Sequence, residues 1–130
     1  GDGLNVRDWI QVDDHAEAVW TVLQRGKPGG VYNIGGEAER QNIQVVKQIL
    51  DALGKPHSLI SFVADRPGHD RRYAMNASRM RRELGWSPRH SFETALAQTV
   101  RWYVEHPTWW ERVLSEAYRT AQAMYLASSR

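Results

Sequence analysis

Two stretches with the apolar period of a helix, each closed by a glycine, lie between short β-type runs, and this alternation limits the chain most. Ala16, Val19, Trp20 and Leu23 recur at spacings of three and four after Asp13-Asp14. They predict a helix from an aspartate cap to about Gln24, stopped at Gly26, with Ala16, Val19, Trp20 and Leu23 turned to the core. Val45, Val46, Ile49, Leu50 and Leu53 repeat the pattern between a cap at Asn42 and a stop at Gly54. Around these helices, residues 6–12, 31–34 and 58–63 read as strands, the second entered through the turn Pro28-Gly29-Gly30. Strands interleaved with helices give an α/β fold.

The second half of the sequence reads as helical. Asn76 is placed to cap a short helix through Leu84, closed by Gly85 with Pro88 beyond. Ser91 caps another that runs to His106 ahead of Pro107, with Phe92, Ala95, Leu96, Thr99, Val100 and Tyr103 on one face. Residues 109–127 have strong helix propensity. The sum is three short strands and about five helices, and Trp9, Trp20 and Trp102 fall on apolar stripes that predict burial.

Composition excludes several classes of function. The 130 residues suit one domain with a modest core. Cysteine is absent, which removes disulfides, thiolate chemistry and cysteine–zinc sites. His15, His57, His90 and His106 have no metal-ligand spacing. No apolar run approaches the ~20 residues of a membrane span, and no leader pattern opens the sequence, so a cytoplasmic protein is expected. A formal charge of +2 is too small to argue for nucleic acid.

Basic residues nevertheless cluster. Arg66, Arg71, Arg72, Arg79, Arg81 and Arg82 lie within 17 positions, and the first three belong to the run Asp65-Arg66-Pro67-Gly68-His69-Asp70-Arg71-Arg72-Tyr73. A Pro-Gly turn leaving a β-type segment and presenting guanidinium groups suits a diphosphate, because the planar fork pairs bidentately with phosphoryl oxygens and stays charged. Aromatic residues are not interleaved with these arginines as a base-stacking reader needs. A local anion site is the better reading.

Together with Gly1-Asp2-Gly3-Leu4-Asn5-Val6-Arg7-Asp8-Trp9 and Tyr32-Asn33-Ile34-Gly35-Gly36, this run resembles the C-terminal part of the nucleotide-sugar dehydratases within the extended short-chain dehydrogenase/reductase (epimerase/dehydratase) family. The resemblance covers residues 1–113, read as a small substrate-binding lobe, and leaves residues 114–130 as an extended C-terminal helix. It implies that the Rossmann half lies outside these residues. The ligand it implies is a dTDP-sugar, and the parent reaction converts dTDP-D-glucose to dTDP-4-keto-6-deoxy-D-glucose and water. NAD is implied for the complete parent, a homodimer, and no cofactor is expected to bind this chain alone.

Position by position, the resemblance puts Arg7 and Arg66 on the nucleotide diphosphate and Asn42 in the substrate pocket. Asp65, Pro67, Gly68 and His69 fall in the nucleotide-binding loop, with Asp65 on a ribose hydroxyl or orienting Arg66. Tyr73 is a further candidate near the base, and Arg71 and Arg72 are expected in ion pairs. The family's catalytic Tyr-x-x-x-Lys does not occur, since no lysine stands four after a tyrosine. No three-glycine phosphate loop runs into a helix either, and Asp13-Asp14 reads as a helix cap. Activity is therefore not expected of this chain alone. Two rivals stand beside this reading: a UDP-sugar epimerase or dehydratase piece of the same family, and a non-catalytic binding or interaction module.

Overall fold

Strand β1 (Val6–Asp8) runs antiparallel to β2 (Glu39–Gln41), with Arg7 opposite Arg40. The computed structural model describes residues 1–114 and 119–120. On its other edge β1 meets residues 71–73: Val6 N–H donates to the Arg71 carbonyl at 2.8 Å, and Tyr73 N–H donates to the Val6 carbonyl at 3.0 Å. The other elements, in chain order, are α1 (Val12–Arg25), α2 (Asn42–Ala52), a 3₁₀ turn at His57–Leu59, a π-helical turn at Met80–Leu84, α3 (Phe92–Glu105) and α4 (Pro107–Val113). The chain divides into two compact units, Gly1–Gln98 and Thr99–Arg130. The helix expected over residues 114–130 falls largely outside the described residues.

The strand pattern differs from the sequence reading. Strand 6–12 stops at Asp8, because α1 begins at Val12 and Gln11 caps it by accepting from the Asp13 and Asp14 N–H groups. Neither aspartate is the cap. Residues 31–34 are extended and alternate correctly, Tyr32 and Ile34 packing inward while Val31 stays exposed. They still form no ladder among the described residues, since β2 occupies the edge of β1. The loop expected after Gly36 supplies that second strand instead. Residues 58–63 also form no strand: the segment starts in the 3₁₀ turn, and Phe62 and Val63 stay exposed. Period-two apolar patterning fits a pleated surface but supplies no hydrogen-bonding partner. Two strands therefore stand where three were expected.

Helix α1 inverts its expected orientation. Its buried residues are Asp14, Ala18 and Thr21, whereas Val12, Val19, Trp20 and Leu23 are 72%, 49%, 56% and 74% exposed. Ala18 packs with Met80, Leu84 and Trp86 into one core cluster, joined by Ile10, Val22, Tyr32 and Ile34. A second cluster joins Ala38, Val45 and Phe92, with Ile49 and Leu96 against it. Trp9, Trp20 and Trp102 are thus not core, and Trp86, packed against the π-helical turn that Gly85 closes, is. In the second unit, Trp102 stacks on His106 at 4.6 Å and meets Tyr103 and Trp109 edge-on. Among the described residues, no helix is long and apolar enough to cross a membrane and no metal-holding cluster occurs.

Asp14 explains why α1 turns as it does. Its carboxylate is 1% exposed and accepts from Arg89 N–H at 3.1 Å, His90 N–H at 3.0 Å and the His90 ring at 3.0 Å. Burial pushes its pKa upward, but the hydrogen bonds from His90 and Arg89 outweigh that and hold it below the ordinary value. A group whose folded pKa is depressed contributes stability above its unfolded pKa and loses it as pH falls through the folded one. The urea midpoint is therefore expected to drop below about pH 4 more steeply in the native chain than in Asp14→Asn. Asp14→Ala is expected to cost about 3–5 kcal/mol, by stranding two buried amides that a charged acceptor had satisfied. A chemical denaturation series across pH checks both.

Candidate functional site

Because residues 71–73 lie along β1, the turn that precedes them is carried back over Arg7. Its corner is Pro67-Gly68, where Gly68 holds φ at 69°, a conformation that side chains with a Cβ rarely take. Arg7 is half-buried beneath it. Its Nη1 donates to the Val6 carbonyl at 2.7 Å, and its Nη2 donates to the Asp70 carbonyl at 3.1 Å. Nη2 also lies 3.0 Å from His69 Nε2, and the guanidinium sits 4.5 Å above the Tyr73 ring.

His69 links this arginine to Asp65. An arginine has no lone pair to offer, so Nε2 facing Nη2 must be the acceptor, which puts the neutral ring's proton on Nδ1. Nδ1 lies 2.6 Å from Asp65 Oδ1, which also accepts from Arg66 N–H at 2.9 Å. The His69 hydrogen bond is the main cause that holds the Asp65 carboxyl below its usual range, against the opposing effect of burial. Asp65 is thereby an anion that orients the Arg66 main chain and the His69 ring.

Arg66 is exposed, and its side chain enters the same electrostatic neighbourhood. The Tyr73 phenol donates to the Asp70 carboxylate, and that bond raises its pKa, with burial adding to the effect. The charges of Arg7 and Arg66 both pull the other way. Two guanidinium groups, from β1 and from the turn, therefore act on one phenol.

Four neighbouring arginines are held by carboxylates. Arg71 binds Asp2 at 2.8 Å, Arg72 binds Glu39 through two bonds of 2.9 and 2.8 Å, Arg79 binds Glu83 at 3.0 Å, and Arg81 pairs with Glu37. Among the described residues Arg7 and Arg66 have no carboxylate within ion-pair distance, so positive charge is left open at the turn. An anion with several oxygens is the complement of that arrangement.

Asn42 sits differently from its expected role. It is the first residue of α2 rather than the cap, which is Gln41, whose N–H donates to Gln44 Oε1 at 3.0 Å. The Asn42 side chain makes no hydrogen bond to Arg7, Asp65, Arg66 or His69. Its main-chain N–H instead donates to the Asn5 carbonyl at 2.9 Å, and its Oδ1 is buried with no partner. The structure thus gathers Arg7, Asp65, Arg66, Pro67, Gly68 and His69, and attaches Asn42 to them through the backbone. Asn5 and Asp70 were not singled out by sequence. Asn5 has a small polar side chain on an apolar strand, which is the signal it carries; Asp70 has none apart from its place in the arginine run.

The structure is an α/β lobe with a guanidinium-bearing turn laid over a strand. The chain belongs to the GDP-mannose 4,6 dehydratase family, whose profile matches residues 1–99. It is 52% identical over 128 residues to a dTDP-glucose 4,6-dehydratase of Xanthomonas campestris pv. campestris, covering 92% of this chain and 36% of that protein. The crystal structure of a dTDP-glucose 4,6-dehydratase from Bacillus anthracis in complex with NAD superposes with a TM-score of 0.83 at 50% identity, over 87% of this chain and 36% of that one. A Streptomyces venezuelae enzyme of the same description, with NAD and a second ligand bound, gives 0.84 at 46% identity, over 87% and 35%. The chain thus spans little more than a third of the length of these relatives.

Among the described residues the glycine pairs do not lead into helices. Helices α1, α2, α3 and α4 start after Gln11, Gln41, Ser91 and His106, with no glycine turn running into an N-terminus that could approach a pyrophosphate. The Gly35-Gly36 pair serves another purpose: a Cβ at Gly36 would lie 1.8 Å from the Trp9 carbonyl oxygen, so this glycine lets the chain pack against its own backbone. Asp8 fixes that packing by accepting from Gly36 N–H at 3.1 Å and Ala38 N–H at 2.9 Å.

The tyrosine offers a direct probe of this geometry. Asp70→Asn is expected to lower the pH at which Tyr73 ionises, because the carboxylate that raises it is gone. Arg66→Ala is expected to raise it, because an opposing positive charge is removed. Absorbance titration at the phenolate band, with Tyr73→Phe as the blank for the other tyrosines, measures both shifts.

Proposed function

We propose that this chain is the substrate-binding part of a dTDP-glucose 4,6-dehydratase, with residues 1–113 forming the lobe and residues 114–130 an extension of it. The observation that carries the reading is the Arg7 guanidinium, held beneath the Pro-Gly turn that bears Arg66 by the Val6 and Asp70 carbonyls and the His69 ring, with no carboxylate within ion-pair distance of either arginine among the described residues. In this reading the two arginines grip the diphosphate of dTDP-glucose. Arg7 is held by carbonyls and the His69 ring, so its position is set before the ligand arrives. Asp65 and His69 serve as its support and as polar contacts for ribose or phosphate, and Asn42 borders the sugar.

The contribution of the chain is binding and orientation. Contacts remote from the reacting carbons hold the hexose in place, and binding energy is converted into alignment. The conversion of dTDP-D-glucose to dTDP-4-keto-6-deoxy-D-glucose and water belongs to the complete, homodimeric enzyme. NAD supplies the redox chemistry there and is held by residues beyond those described here.

Two further features fit a lobe that completes a larger enzyme. Among the described residues, the apolar stripe Val12, Val19, Trp20 and Leu23 of α1 is left exposed, and the segment 31–34 that follows it makes no backbone-to-backbone hydrogen bond. In this reading both face the rest of the enzyme, the helix over a sheet and the segment along its edge. Amides of Tyr32, Asn33 and Ile34 are then expected to exchange fast in the 130-residue chain and slowly in a protein of the relatives' length.

The activity test is a chimera in which this chain replaces the matching region of the Xanthomonas campestris enzyme. One charge-assisted contact contributes roughly 1.5–3 kcal/mol, so Arg7→Ala or Arg66→Ala in the chimera is expected to lower kcat/KM for dTDP-glucose by about one to two orders of magnitude. An unchanged value for both variants removes the arginines from the site. Product analysis with UDP-glucose in parallel reads out the choice of base.

A further inference from the structure

We propose that Asn5 is a positioning residue: its buried amide holds the Asp70 carbonyl on which the Arg7 guanidinium rests, and so fixes where that guanidinium points. The inference deepens the diphosphate reading and rests on it for its functional consequence, but its structural core stands on geometry alone.

Asn5 is 3% exposed, one of only three buried polar or charged residues among those described. Its Nδ2 donates to the Asp70 carbonyl at 3.1 Å, and Arg7 Nη2 donates to the same oxygen at 3.1 Å. A carbonyl oxygen has two lone pairs, and these two donors fill them. The sharing follows from position. Residues two apart on an extended chain project to the same side, so the side chains at 5 and 7 reach the same line of main chain opposite. That line, residues 70–73, has its backbone-to-backbone bonds to β1, among the described residues, at Val6 alone, with Arg71 and Tyr73. Without the Asn5 amide, the Asp70 carbonyl lies one residue beyond the last of those backbone bonds, held by Arg7 alone.

The main chain of Asn5 reaches the other side of the site. Its carbonyl accepts from Asn42 N–H at 2.9 Å, and the Gly3 carbonyl accepts from Ile43 N–H at 2.8 Å. Asn5 is thus the residue at which the turn carrying Arg66 and His69, the strand carrying Arg7, and the head of α2 carrying Asn42 are tied together. A residue that only filled space here would have no need of a donor. The amide is required because the atom it meets is a carbonyl oxygen whose second lone pair the Arg7 guanidinium leaves open.

The first test needs no ligand. Asn5→Leu keeps the approximate size, removes the donor without adding a charge, and is expected to let the Arg7 guanidinium leave the Tyr73 ring. The Tyr73 titration then shifts upward, as it does in Arg7→Ala, and Asn5→Leu adds no further shift in the Arg7→Ala background. Asn5→Ser is carried alongside, so that one folded variant is in hand, with a thermal melt to report each. A Tyr73 titration that stays at its native value in a folded Asn5 variant, or shifts that simply add, overturns the proposal.

The second test is kinetic, in the Xanthomonas chimera. Asn5→Ser is expected to raise KM for dTDP-glucose several-fold with kcat nearly unchanged, and to have no further effect once Arg7 is alanine. A fall in kcat with KM unchanged, or a full additional effect in the Arg7→Ala background, argues against positioning. If Arg7→Ala itself leaves KM unchanged, the diphosphate reading fails while the titration still decides the role of Asn5.

Discussion

The three residues of β1 are hydrogen-bonded along both edges, and nearly everything of functional interest depends on that. One edge carries β2, whose next residue opens α2. The other carries residues 71–73 through the two backbone bonds of Val6. A strand this short contributes little by itself, since each backbone hydrogen bond adds only about 1 kcal/mol net. Its importance is geometric. Segments more than sixty residues apart in sequence are brought into register, and Arg7 is delivered beneath a turn that it could not otherwise meet.

Charge is distributed around this ladder in a consistent way. Carboxylates stand beside Arg71, Arg72, Arg79 and Arg81, and those pairs are exposed, where ion pairs add little to stability. On the strand and at the turn, Arg7 and Arg66 have no carboxylate within ion-pair distance among the described residues. Arg7 is nonetheless well satisfied by neutral acceptors, which fix its direction without cancelling its charge. A guanidinium held in this way is ready for an anion, because little side-chain freedom remains to be lost on binding.

Packing in the first unit is organised by a carboxylate rather than by an apolar stripe. Asp14 holds the main chain of Arg89 and His90, and this turns α1 so that Ala18 meets Met80, Leu84 and Trp86. A buried charge with three hydrogen bonds outweighs the burial of Val19, Trp20 and Leu23, since an unsatisfied carboxylate costs more than exposed methylenes.

Much of the site was legible in the sequence. The Pro-Gly turn that carries Asp65, Arg66 and His69 is local chemistry that the chain writes directly, whereas the meeting of Arg7 with that turn depends on the pairing of β1. The helices at 12–25, 42–52 and 92–105 also follow from local period and stop signals. What the sequence did not determine is which partner each segment finds. Residues 31–34 and 58–63 have the alternation of strands and no ladder, β2 forms where a loop was expected, and α1 buries the face that holds Asp14. Strand pairing and burial are decided by distant atoms competing for the same edge or the same cavity, and only the folded chain settles that competition. Asn5 gives the sharpest instance: as a letter it is an unremarked polar residue, and only the arrival of the Asp70 carbonyl makes its amide part of the site.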